Sequence, residues 1–221
     1  MSVQAQVYGQ NTGLTYVTQG QSVPFRADNF GDQGVNQVLG RYTSLALNGN
    51  LYVMSQNSTQ AGIAGVVAPP TTTSGFILYN AAAASTKTVL MPLWVGVTAK
   101  SGTIGSGLTI ECGLTSGALA TPLTANGSNV IIKNMLDGVT ADSTTFADIN
   151  KTVVQASYVN FSSGGAAVGI GSGLSVDVGG MFVIKPTFAF DVSVLGPTGT
   201  SPVYFVSIVY AKLSMDMGSA A

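Results

Sequence analysis

The sequence predicts an all-β fold, an antiparallel β-sandwich with jelly roll as the leading architecture and an extended N-terminal arm. Three observations carry that expectation. Short apolar or alternating segments, about ten of them, recur at roughly 8–12-residue spacing, the rhythm of sandwiches and barrels. The breaks between them are rich in turn formers, with 28 glycines and 8 prolines in 221 residues. The apolar segments do not alternate with helical patterns, so a parallel α/β sheet is disfavoured.

Residues 1–40 are polar, rich in Gln and Asn, and broken by Gly9, Gly13, Gly20, Pro24, Gly31 and Gly34. They hold too few apolar side chains for a core of their own. They read as an extended arm packing on the body or on a neighbour, or as a disordered tail; Phe25 and Phe30 weigh towards packing. Residues 41–214 form the sandwich domain and 215–221 a short tail.

Within the domain, Tyr42–Leu47 and Asn50–Met54 flank Asn48-Gly49, a pair suited to the positive φ angles of a type I′ turn, so a tight hairpin is expected there. Pro69-Pro70 and three threonines make a stiff connector. Gly75–Thr98, GFILYNAAAASTKTVLMPLWVGVT, reads as a hairpin of two apolar strands joined by a small-residue turn. Val89–Val97 is apolar on both faces, as in a doubly buried strand. Pro92 removes a ladder donor and marks a bulge or an edge. Trp94, the single tryptophan, is expected in the core or at a subunit contact. Ser101–Gly107, SGTIGSG, lacks the order and the lysine of a phosphate loop and precedes a strand, so it reads as a hairpin loop. Asn126-Gly127 is a turn. Asp137–Asn150 is the best short-helix candidate, with Ser143 as a cap. Ser162–Gly173 is a glycine-serine loop. Phe188, Phe190, Val192 and Val194 alternate with Thr187, Ala189, Asp191 and Ser193, giving a buried and a wetter face. Val203–Leu213 is a long final strand, apolar on both faces.

Charge is scarce. Only 8% of residues are charged and the net charge is −1, against about 25% charged in ordinary domains. Such a surface has little self-repulsion and favours association, so much of it is expected to be covered by copies or a partner. The eight basic residues (Arg26, Arg41, Lys87, Lys100, Lys133, Lys151, Lys185, Lys212) stand singly, whereas nucleic-acid binding needs converging cations; no direct nucleic-acid partner is expected. MSVQAQVYGQ has no secretory n- or h-region. No stretch reaches the ~18 apolar residues of a membrane helix, so no membrane partner is expected.

The absence of histidine removes the usual general base and the commonest zinc ligand. The single Cys112 forms no intrachain disulfide and reads as a core residue. The one glutamate, Glu111, has no identifiable catalytic partner. Asp137, Asp142 and Asp148 lie within twelve residues and have calcium-ligand chemistry, but lack the order of a calcium loop; they read as turn-forming and capping residues, with cation binding left open. Asp28 and Asp32, near Arg26, read as arm or loop contacts. Tyr8, Tyr16, Tyr42, Tyr52, Tyr79, Tyr158, Tyr204 and Tyr210, with Trp94, are either core and interface residues or a sugar-stacking surface. No catalytic, cofactor or metal residue is assigned.

The uncharged Gln/Asn/Gly-rich start, LALNGNLYVMSQN, GFILYNAAAASTKTVLMPLWVGV and the final VYFVSIVYAKL together resemble small structural proteins of bacteriophage virions, most closely over Arg41–Leu114. The resemblance implies a β-sandwich capsid, cement or decoration protein acting as a homo-oligomer, often a trimer. It transfers no residue roles, because no family motif is defined. The expected function is therefore a non-enzymatic virion structural protein, made in the host cytoplasm, with copies of itself and a major capsid protein as partners. The alternative is a carbohydrate- or surface-binding module, such as a spike or adhesin head.

Overall fold

The computed structural model describes residues 42–56, 62–66, 73–103, 106–128, 130–152, 155–167, 170–195 and 202–214. The expected arm over 1–40, the Pro69-Pro70 connector and the 215–221 tail lie outside the described residues. The chain divides into two units at Arg41/Tyr42, and every described element belongs to the second.

The described strands are β1 (Leu51–Gln56), β2 (Ile63–Ala64), β3 (Phe76–Asn80), β4 (Thr88–Ser101), β5 (Ser106–Thr115), β6 (Val130–Asn134), β7 (Thr145–Ile149), β8 (Gln155–Ala167), β9 (Gly173–Asp177), β10 (Ala189–Leu195) and β11 (Val203–Ser214). They form an all-β sandwich of two antiparallel sheets. The first has the order β6-β1-β11-β4-β9, with β2 also on β11; the second has β7-β3-β10-β5-β8.

The pairing is nested. β5 pairs with β8, β4 with β9, β3 with β10 and β1 with β11. The chain is thus a ribbon doubled back between β5 and β8, with successive pairs placed in alternate sheets. The segment at its tip contributes β6 to the edge of the first sheet and β7 to the edge of the second. Between the sheets lie Met54, Phe76, Val95, Ile110, Cys112, Phe190, Ile208 and Tyr210, each fully buried. β11 is central, with Tyr204, Val206, Ile208 and Tyr210 buried and Phe205, Ser207 and Val209 on the outer face.

Several expectations change. Thr43–Leu47 is a one-turn helix, α1, not the first strand of a hairpin. Tyr42, Leu45 and Ala46 pack on Leu51, Leu93 and Ala211 on the outer face of the first sheet. The Asn-Gly pair ends this helix. Gly49 has φ +69°, its N–H donates to Ala46 O, and Asn50 N–H donates to Leu45 O, at 2.9 Å each. That is the 5→2 and 6→1 pattern of a Schellman stop. Both stretches expected as hairpins, β3–β4 and the SGTIGSG loop after β4, instead cross from one sheet to the other, because the nested pairing separates their flanking strands. Ala84–Thr86 is a single 3-10 turn.

Asp137–Asn150 is not a helix. A turn at 135–138 is followed by β7, whose β-branched and aromatic start, Thr145-Phe146, suits a strand against β3. Ser162–Ala167, expected as loop, extends β8 because β5 supplies its backbone ladder. The wetter face of β10 is buried, with Asp191 and Ser193 each 1% exposed.

Pro92 does mark a bulge. Tyr210 pairs with Pro92 and Val209 with Trp94, leaving Leu93 as the extra residue. The insertion reverses the alternation. Leu90 faces the core before it; Val95, Val97 and Ala99 do so after it. Leu93 and Trp94 therefore both lie on the outer face, and Trp94 is not in the core. Pro92 sits within a central strand, past the reach of the β9 pairing, which spans Trp94–Thr98.

Candidate functional site

The three aspartates weighed as cation ligands are held apart by different partners. Asp137 closes its own turn: Val139 and Thr140 N–H donate to its Oδ1 at 2.8 and 2.9 Å, and Thr140 Oγ1 donates to Oδ2. The Thr140 hydroxyl, with these amides, lowers its pKa to about 2. Asp148 pairs with Lys151 at 2.7 Å. Asp142 turns inward to the first sheet. Among the described residues, no group of three or more Cys, Asp or Glu converges in a metal-binding arrangement.

Asp142 centres the principal polar cluster. It lies in the β6–β7 connection, and its side chain is fully buried. Lys212 Nζ on β11 donates to its Oδ1 at 2.6 Å and to Thr144 Oγ1 at 2.6 Å. Tyr210 Oη donates to Oδ2 at 3.2 Å, and Thr144 N–H to Oδ1 at 3.0 Å. The Tyr52 ring stacks on Tyr210 at 5.5 Å. Burial raises the pKa of Asp142, but the hydrogen bonds from Lys212 and Thr144 and the Lys212 charge outweigh it and hold the carboxyl below its ordinary value. Burial, then the Asp142 charge, pushes Tyr210 well above its ordinary value. The carboxylate is a weak base and the phenol a weak acid, the opposite of groups tuned to exchange protons near neutrality. What this geometry does is pin the β6–β7 connection, which crosses from the first sheet to the second, to the central strand of the first.

Glu111 and Asp191 form the second acidic feature, on the outer face of the second sheet. Ser193 pairs with Glu111, and Gly113 with Asp191. Both carboxylates are 1% exposed, and burial raises the pKa of Glu111. Ser193 Oγ accepts from Gly75 N–H at 3.2 Å. Cys112 points the other way, into the core. Burial, then the charges of Asp191 and Glu111, pushes its thiol far up, so it is an inert packing residue.

Among the described residues, the tyrosines do not assemble into an exposed surface. Tyr79, Tyr204 and Tyr210 are buried; Tyr8, Tyr16 and the Tyr158 side chain lie outside the described residues. Trp94 is the exposed large aromatic among the described residues, at 36%. Its six-membered ring fills the space where a side chain at Gly96 would stand. Asp177 and Val209 flank Trp94 on the neighbouring strands, and Ser175 and Ser207 flank Gly96. Tyr42 Oη donates to Asp177 Oδ1 at 3.5 Å, and Gly179 N–H donates to the same oxygen at 2.9 Å.

An apolar rim occupies one end of the sandwich. Leu47, Met135, Leu136 and Val139 are all exposed, Val139 at 72%. The turns that carry them are joined where Asn134 Nδ2 donates to Gly49 O at 2.6 Å and Met135 N–H to Leu51 O at 2.9 Å. The sequence pattern conceals this rim because Asp137–Asn150, which contains Val139, reads as a helix candidate.

No protein-family model matches the chain, and no curated protein is significantly similar to it.

Proposed function

We propose that the chain is a non-enzymatic structural protein of a virion, a capsid decoration, cement or shell protein that works as a homo-oligomer on a major capsid protein. The observation that carries this reading is the exposed rim of Leu47, Met135, Leu136 and Val139 on a chain with a net charge of −1. Exposed apolar side chains gathered on adjoining turns are the kind of surface that marks a protein contact, and the low charge offers little to oppose association. The nested pairing of β1·β11, β3·β10, β4·β9 and β5·β8 supports a jelly-roll reading of the sandwich, an architecture used by capsid domains. The Asp142–Lys212–Tyr210 cluster supports a non-catalytic role, since the Asp142 carboxyl is held below its ordinary value and the Tyr210 phenol well above its own. The scarcity of cations favours a place on the outside of a shell.

The test is native mass across nanomolar to micromolar concentration, together with binding to purified capsids. A single oligomer that binds capsids is expected. A monomer at every concentration that leaves capsids undecorated overturns the proposal. Copy number in the source particle, relative to the major shell protein, distinguishes decoration from shell.

The second reading, a carbohydrate- or surface-binding module, is favoured by one observation, the outward-facing Trp94.

A further inference from the structure

We propose that the outer face of the first sheet around Trp94 is a saccharide platform that takes a neutral pyranose, alone or within a glycan. It locates a binding site that the structural reading leaves open and does not depend on that reading.

The floor is the indole, laid over Gly96. Ser207 on β11 and Ser175 on β9 pair with Gly96 from its two sides. Asp177 pairs with Trp94, and its Oδ1 is fixed by Gly179 N–H and Tyr42 Oη. A pyranose has an apolar C–H face and a rim of hydroxyls. The C–H face stacks on an indole, the hydroxyls donate to a carboxylate, and serine hydroxyls both donate and accept. All three groups meet within one strand spacing of Trp94.

Charge and area select the occupant. Asp177 carries the one formal charge among the residues paired with Trp94 and Gly96, while Lys100 stands over the Phe205 ring farther along the face, so the charge immediately beside the indole is negative and disfavours an anionic group stacked there. Helix α1 covers part of this face, over Leu51, Leu93 and Ala211. Over the length of Trp94–Thr98, the whole five-strand face, at about 4.8 Å between strands and about 3.3 Å per residue, is at most on the order of 300–400 Å², and the exposed residues beside the indole are Thr98, Ser175 and Asp177. A stable protein contact needs about 800 Å² from each partner. The platform suits a few sugar rings and is too small to hold a second copy by itself.

Trp94 is the single tryptophan, so intrinsic fluorescence of the full chain reports on this face. The probes are glucose, galactose, mannose, N-acetylglucosamine, N-acetylgalactosamine, maltohexaose and chitohexaose, with sialyllactose as the anionic comparator. The expected result is a saturable emission change with at least one neutral probe at constant native mass. By calorimetry, W94A weakens that binding about tenfold or more, while W94F retains most of it. S207A and S175A, which leave the aromatic floor in place, weaken it with unchanged circular dichroism. The proposal is overturned by no response to any neutral probe, by binding that W94A, S207A and S175A all leave unchanged, by preference for sialyllactose, or by an emission shift that follows protein concentration without sugar. The last outcome assigns the face to a second copy.

Discussion

The indole of Trp94 occupies the space above Gly96, two residues along the same face of β4. A methyl group at position 96 would stand inside the ring, so the two positions constrain each other. G96A is expected to displace the indole from the sheet. Its cost is that of overpacking, about 1–3 kcal/mol, with a shifted emission maximum at room temperature. An unchanged spectrum in a folded G96A protein would show that the ring does not lie where Gly96 leaves room.

The bulge at Leu93 makes a sharper prediction. Leu93 is the residue of β4 without a ladder partner between Pro92 and Trp94. Deleting it removes the bulge and leaves the core-facing phase of Val95, Val97 and Ala99 intact. The expected loss is that of truncating a buried leucine, about 2–5 kcal/mol, in a protein that still melts cooperatively. Deleting Val95 instead turns every later residue of β4 to the wrong face and is expected to abolish folding. Equal melting temperatures for the two deletions would refute the register.

Where alternation runs unbroken, the fold is legible in the sequence. β10 declares its core face through Phe190, Val192 and Val194, whereas β11, apolar on both faces, declares itself a strand but not that Tyr204, Val206 and Ile208 face inward. The rest is hidden for identifiable reasons. Asn48-Gly49 supplies a positive φ at glycine, which a hairpin turn and a helix stop both require, so the signal alone does not choose between them. Trp94 faces outward only because one inserted residue resets the phase. Asp142 and Lys212 stand 70 residues apart, and only the nested pairing brings them together.

That pair gives the prediction for acid stability. Asp142 is held below the ordinary carboxylate pKa of about 3.9. A group depressed in the folded state stabilises above its unfolded pKa and ceases to do so as pH falls through the folded value. The Asp142 contribution is thus complete at about pH 5 and above and fades below about pH 4. K212M leaves the buried carboxylate without its cation. Because Lys212 is 24% exposed, the cost at pH 7 is on the order of 2–3 kcal/mol, below that of a fully buried pair. The K212M deficit, measured by denaturant unfolding, should shrink on acidification; a deficit independent of pH would show that the charge is not the cause.

Glu111 has the opposite sign. Burial raises its pKa, and its Oε2 has no hydrogen-bond partner among the described residues. A carboxyl raised in the folded state binds its proton more tightly there, so it costs stability as pH rises above the unfolded value of about 4.3. E111Q removes that cost while keeping the shape. It is expected to raise the melting temperature at about pH 7, with a gain that vanishes near about pH 3. A fall in melting temperature at neutral pH would mean that the ionised carboxylate is compensated in the fold.

On the proposed homo-oligomer, the apolar rim allows assembly to be separated from folding. Leu136 and Val139 are 56% and 72% exposed, so replacing them with aspartate removes little buried area within one chain. Exposed substitutions of this kind stay within about 0.5 kcal/mol. Burying two new carboxylates at a contact between chains costs far more. The L136D/V139D protein is therefore expected to keep its melting temperature when measured as a dilute monomer and to lose the oligomer, with native mass falling to that of one chain. Loss of the fold along with the oligomer would place these side chains in intrachain packing, and an unchanged oligomer would move the contact to another surface.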